Sequence, residues 1–201
     1  MNILWLTIKT IGSLFVVACA LRAYLQVVRL HAQNPVSRLT FQMTDWIVLP
    51  IRRLVPGLGG VDWSSLLASL FLALGLVMVF YFLMTAGWIT DGAVVLQKPV
   101  RPFGWLVVLA VLWILKWSVQ LAVVILVLSV LMSWLNPIHP LRPVFDLLVS
   151  PMLAPFQRLF GRHDNHRRAG FDLSPVAGFL MLQIVAAVVV EFESGVMRHL
   201  F

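Results

Sequence analysis

Apolar residues in this chain fall in long unbroken runs, unlike the alternation of a half-buried strand or the single stripe of a soluble helix. Four runs approach the roughly 20 residues a helix needs to cross a hydrocarbon core of about 30 Å. They extend from about Leu4 to Val28, Ser65 to Trp88, Leu112 to Leu135 and Pro175 to Phe192. A helix satisfies its own backbone hydrogen bonds, so it is the open segment that lipid tolerates. The stretch Phe103 to Leu135 would reach about 50 Å as one helix, more than an upright crossing requires. Lys116, between Trp113 and Trp117, reads as an anchor at the membrane interface. Residues 103–111 then either lie on the surface or extend the helix past it.

The connections between these runs carry a second pattern. Leu39 to Val55 and Val144 to Phe160 mix apolar and charged positions, as helices lying in the interface plane do. Pro50 and Pro155 interrupt them and predict a kinked or two-piece helix. Gly57, Gly59 and Gly60 permit a tight turn before the second run. Ser64 and Ser174 suit helix N-caps, and Pro175 a first helical position. Asp62 and Asp172 stand where the positive end of a helix favours a carboxylate. Capping is the preferred role for both, over binding a cation or an arginine such as Arg53 or Arg158.

The two halves repeat each other. A shift of 107 positions sets Lys9 on Lys116, Leu6 on Trp113 and Ser13 on Gln120. Asn34-Pro35 is followed in the second half by Asn136-Pro137. The run Leu49-Pro50-Ile51-Arg52-Arg53-Leu54 pairs with Ala154-Pro155-Phe156-Gln157-Arg158-Leu159. Gly60-Val61-Asp62-Trp63-Ser64 pairs with Gly170-Phe171-Asp172-Leu173-Ser174, and the second copy carries extra residues around His163 to Arg168. The matches keep their order, which isolated Pro-x-x-Arg or Asp-x-Ser coincidences would not. The expected organisation is therefore 1–92 as a first repeat and 103–201 as a second, each with two spans. An even number of crossings per repeat gives both copies one orientation and an axis along the membrane normal. The expected fold is an all-α polytopic membrane protein: four transmembrane helices, two tandem repeats of parallel topology, and interfacial amphipathic loop helices.

Composition supports this pattern. Hydrophobic residues make up 61% of the 201 positions and charged residues only 11%. One compact water-soluble core cannot bury that excess. The formal charge of +7 is carried mostly by arginines in the long loops. The positive-inside rule places those loops in the cytoplasm and the termini outside. Thinly spread arginines suit anionic lipid headgroups better than nucleic acid. Cys19 is the single cysteine, which excludes an internal disulfide and a cysteine metal cluster. Val16-Val17-Ala18-Cys19 is similar to a lipoprotein cleavage box, but apolar residues precede Lys9 where a signal peptide would be basic, so cleavage is not expected.

Candidate chemistry is sparse. Within the spans, Arg22, Gln120, Ser129 and Gln183 are the polar residues that need a role. The plain reading has Arg22 snorkelling to the nearer interface and the glutamines bonding between helices. No carboxylate lies near a span centre, which argues against a carboxylate-driven transporter. His163-Asp164-Asn165-His166 has ligand-type residues, but in an arginine-rich stretch of one copy only, so a solvated loop is the better reading than a metal site. No nucleophile–base set, phosphate loop or paired catalytic carboxylate is visible, and neither an enzyme nor a cofactor is expected.

The doubled pattern Asn-Pro, then Pro-Ile-Arg-Arg-Leu-Val-Pro, then Gly-Gly-Val-Asp-Trp-Ser before an apolar helix resembles the YggT/YlmG family of bacterial and plastid membrane proteins. The likeness covers Leu4 to Phe80 and Leu112 to Val190. The second copy departs from it, with Gly161 in the place of Pro56 and His163 to Arg168 replacing the short glycine turn. The resemblance implies a bacterial inner-membrane location and links to cell division, nucleoid or thylakoid organisation, osmotic tolerance and potassium uptake. It brings no catalytic residues. The residues expected to matter are the repeated ones: Pro50, Arg52, Arg53, Gly60, Asp62 and Ser64, with Pro155, Arg158, Gly170, Asp172 and Ser174. The favoured function is a non-enzymatic scaffold or organisation factor whose loops dock onto a membrane protein partner or anionic lipid, with no direct role for nucleic acid. The alternative is a component of a channel or transporter for a cation such as potassium, with Arg22, Gln120 and Gln183 facing a pathway.

Overall fold

The computed structural model describes residues 3–31, 33–55, 57, 62–86, 103–135, 139–160 and 174–200, with backbone alone for 155–160. Six α-helices are present among the described residues: α1 (Ile3–Val27), α2 (Pro35–Leu54), α3 (Trp63–Thr85), α4 (Gly104–Leu135), α5 (Arg142–Phe160) and α6 (Ser174–Leu200). Four of them, α1, α3, α4 and α6, are long and apolar enough to cross a membrane. Residues 103–111 extend α4 and do not form a separate surface segment. The helix is continuous over 32 residues, about 48 Å at 1.5 Å per residue. α6 also runs past the expected end at Phe192, to Leu200.

The amphipathic connections are helical, but neither breaks at its proline. Pro50 lies inside α2 and Pro155 inside α5, which corrects the expectation of two-piece helices. Pro50 is exposed and in the last two turns of α2. The one carbonyl its ring leaves unbonded can there meet water or a headgroup, so the missing bond does not stop the helix. The start of α2 explains the Asn-Pro pair of the first copy. Asn34 is the N-cap, its side chain accepting from Val36 N at 3.1 Å, and Pro35 is the first helical residue. Asn136 and Pro137 lie outside the described residues.

α1 ends in a Schellman arrangement, with Leu30 N donating to Leu25 O at 3.0 Å and Arg29 N to Gln26 O at 3.1 Å. Arg29 occupies the left-handed position, φ 57°, where glycine is usual.

The chain divides into two compact units, Met1–Ser118 with Val189–Phe201, and Val119–Val188. In the first unit, α1, α2 and α3 pack pairwise against each other. Its core runs from Trp5 and Val16 of α1 through Ala73, Leu76, Val77 and Phe80 of α3. Leu109, Ala110, Trp113 and Trp117 of α4 and Val196 and Leu200 of α6 complete it. Trp5, Phe80 and Trp113 form an aromatic cluster with centroids 5.1 to 6.3 Å apart. Gly12 lets α1 approach α3 closely: a Cβ there would meet Leu76 Cδ2 at 2.5 Å.

Lys9 stands over the Trp113 ring at 5.7 Å. Lys116 donates to Glu193 at 2.6 Å, and Trp113 Nε1 donates to the same carboxylate at 3.0 Å. Lys9 and Lys116 therefore gather around one tryptophan. Glu193 on α6 is the counter-ion that holds the added helical turns in this unit. In the second unit, Val144, Leu148, Val149 and Leu153 of α5 are buried, and a Cβ on Gly178 of α6 would meet Leu153 Cδ2 at 2.6 Å.

Candidate functional site: a buried arginine–aspartate network

α2 has three faces. Ser37, Thr40, Thr44 and Val48, spaced three or four apart, are buried. Leu39, Met43, Trp46, Leu49 and Leu54 are exposed, and so are Arg38, Arg52 and Arg53. Small hydroxyl residues point inward and large apolar ones outward, the reverse of a water-soluble helix and the arrangement expected where lipid is the surroundings. Thr40 Oγ1 donates to Val36 O at 2.8 Å and Thr44 Oγ1 to Thr40 O at 2.7 Å, so these two threonine hydroxyls are satisfied within the helix.

The hydroxyl face receives Arg22 of α1. This arginine is 5% exposed and does not snorkel outward, which corrects that reading. Its Nη1 donates to Thr44 Oγ1 at 2.9 Å and to Asp45 Oδ1 at 2.7 Å. Its Nε lies 3.7 Å from Asp62 Oδ2, and its guanidinium sits 4.7 Å from the Phe41 ring centre.

Asp62 is 1% exposed and is the N-cap of α3, accepting from Ser65 N at 3.3 Å. Ser64 Oγ donates to Asp62 Oδ1 and Ser65 Oγ to Oδ2, the latter at 2.8 Å. Arg52 Nη2 of α2 completes the set at 2.9 Å from Asp62 Oδ2. Burial opposes ionisation of Asp62, but the hydrogen bonds from Ser64 and Ser65 and the Arg52 charge outweigh it and hold the carboxyl below its usual 3.8.

Capping and arginine pairing are thus one arrangement at Asp62. The arginines are Arg22 and Arg52 rather than the expected Arg53. Ser64 is not the cap itself; it lies inside α3 and steadies the Asp62 that caps. Beneath this network Cys19, Val48 and Ala68 form a small apolar cluster from the same three helices, and Cys19 is buried in mid-helix. The result is a clasp: two cations and two carboxylates tie α1, α2 and the start of α3 together.

The other expected residues fall elsewhere. Gly60, Gly170, Asp172 and the His163–His166 stretch lie outside the described residues. Pro155 and Arg158 lie in α5, and Ser174 opens α6 with Pro175 in its first turn. Gln120 and Gln183 are exposed on α4 and α6. Sequence reasoning missed the partners Thr44, Asp45 and Ser65, although Thr44 stands four residues from Thr40 and Ser65 three from Asp62. Among the described residues no group of three or more histidine, cysteine, aspartate or glutamate side chains could hold a metal ion.

A helical chain with four apolar spans and a clasped loop helix is the class these features define. The CCB3/YggT family model matches residues 1–90 and 108–192, and the chain belongs to that family. Relatives include an uncharacterized protein of Pseudomonas aeruginosa, 29% identical over 92% of this chain and 86% of its own length. The uncharacterized protein YggT of Escherichia coli K12 is 28% identical over 95% of this chain and 91% of its own length. An uncharacterized protein of Haemophilus influenzae is 33% identical over 77% of this chain and 76% of its own length. No solved structure matches.

Proposed function

We propose that the protein is a non-enzymatic scaffold of the bacterial inner membrane, built as two tandem hairpin repeats of one orientation. Its interfacial helices α2 and α5 dock onto a membrane protein partner or anionic lipid from the cytoplasmic side. The two separate stretches matched by the family model support the repeat. The observation that carries the docking role is the three-faced α2. Its hydroxyl side is clasped by Arg22, while Leu39, Met43 and Trp46 are left to lipid and Arg38 and Arg53 to headgroups or a partner. A clasp that fixes a helix presenting apolar and basic stripes suits a rigid docking edge. Links to cell division or to osmotic homeostasis belong to this reading as the processes such a scaffold would serve.

The test is photocrosslinking in native membranes from a probe at position 53. Discrete adducts with a membrane protein or a phospholipid are expected, lost in the Arg53→Ala and Arg158→Ala double variant probed from position 38. An absence of adducts from both positions contradicts the reading. A cation channel would instead give ion flux in liposomes that Gln183→Leu abolishes.

A further inference from the structure

The second unit has a cavity at the place where the first has its clasp. This comparison rests on the repeat proposed above. Under the shift of 107, Arg22 falls on Ser129; with Pro50 set on Pro155, Thr44 falls on Val149, Asp45 on Ser150 and Phe41 on Asp146. All four second-copy residues line one cavity of about 600 Å³ between α4, α5 and α6. The long arginine of the first copy is a serine here.

The cavity has two chemically distinct parts. Leu126, Val130, Leu153, Val176 and Phe179 give it apolar walls. At its polar part Ser129 Oγ and Asp146 Oδ1 are 3.0 Å apart. Arg142 Nε lies 3.5 Å from Asp146 Oδ2, and its Nη2 3.5 Å from Ser133 Oγ. Both charges are partly exposed and their mutual contact is long, so water screens the pair. The volume is in the range of ligand sites, about 300–1,000 Å³.

We propose that this cavity binds a phospholipid with a primary-ammonium, zwitterionic headgroup. The ammonium replaces the missing Arg22 guanidinium as donor to Asp146, Ser129 and Ser150. The phosphate takes Arg142 and Ser133, and the upper acyl chains run along Leu126, Val130 and Phe179. Charge complementarity selects this occupant: a cation and an anion side by side match a headgroup carrying both, where a purely anionic headgroup would meet Asp146. A quaternary ammonium offers no N–H to Asp146, which sets phosphatidylethanolamine apart from phosphatidylcholine.

The experiment titrates the purified full chain in detergent with dioleoyl phosphatidylethanolamine, phosphatidylcholine and phosphatidylglycerol, and reads bound lipid by native mass spectrometry. Ethanolamine lipid is expected to bind at least tenfold more tightly than either other. Asp146→Asn, nearly isosteric, and Ser129→Arg, which refills the space, should each remove that preference while thermal unfolding and elution volume stay unchanged. Equal binding of the three lipids, preference for phosphatidylglycerol, or a preference that survives both variants would overturn the proposal. If either variant unfolds, Ser150→Val serves in its place under the same criterion. Arg53→Ala with Arg158→Ala tests the docking role separately and should leave the ethanolamine preference intact.

Discussion

Asp62 is where the first unit concentrates its electrostatic energy. It is almost wholly buried and holds two arginines and two serine hydroxyls at once. Removing its charge leaves Arg22 and Arg52 short of a counter-ion in a low-dielectric site, so Asp62→Asn should cost about 3 kcal/mol in detergent-solubilised thermal unfolding. The sign of its pH dependence follows from a folded pKa held below 3.8. The Asp62 contribution is fully present above pH 3.8 and is lost as pH falls below that, through the folded value. Asp62→Asn should therefore flatten the acid limb of the stability profile relative to the parent. Arg29 predicts the opposite sign. A side chain at φ 57° is strained, and Arg29→Gly should raise stability by about 1 kcal/mol. The cap at Asp62 was legible in the sequence, but its arginine partners and the left-handed position of Arg29 were not. An arginine six residues from the end of a span can snorkel or turn inward, and the choice depends on whether a hydroxyl face is there to receive it. Thr40 and Thr44 supply that face only once α2 packs.

At the scale of elements, the apolar spans were legible because their composition leaves no alternative, and the amphipathic connections because charge and apolar positions interleave. The ends were less so. α6 continues to Leu200 because Glu193 finds Lys116 and Trp113, a pairing 77 residues apart in sequence that no local pattern announces. α2 runs through Pro50 because the carbonyl freed there is on an exposed face. Packing at this scale is tested by glycines. Gly12→Val should overpack α1 against Leu76 and cost about 2 kcal/mol. Gly75→Ala in the middle of α3 meets nothing within 4 Å and should gain up to about 1 kcal/mol through helix propensity. Both are read by thermal unfolding in one detergent. A destabilising Gly75→Ala with a neutral Gly12→Val would contradict the helix contacts described above.

For the whole molecule, the excess of apolar residues and the ordered recurrence of the Asn-Pro, Pro-x-x-Arg and Gly-x-Asp-x-Ser signals are what the proposal of two hairpins inserted the same way rests on. The compact units do not follow that boundary, since the first half of α4 and the end of α6 join α1 to α3. Apolar helix faces are interchangeable in lipid, whereas the polar clasp is local to α1, α2 and the start of α3. Under the proposed repeat Arg22 falls on Ser129, which lines the cavity between α4, α5 and α6.

Cys19 is buried, so a Cys19→Ala background allows single cysteines to report sidedness. Cysteines placed at positions 53, 158 and 98 would be treated with a membrane-impermeant thiol reagent on right-side-out and inverted vesicles. Two hairpins of one orientation require positions 53 and 158 to label from inverted vesicles only and position 98 from right-side-out vesicles only. Labelling of 53 and 158 from opposite sides would contradict the tandem arrangement.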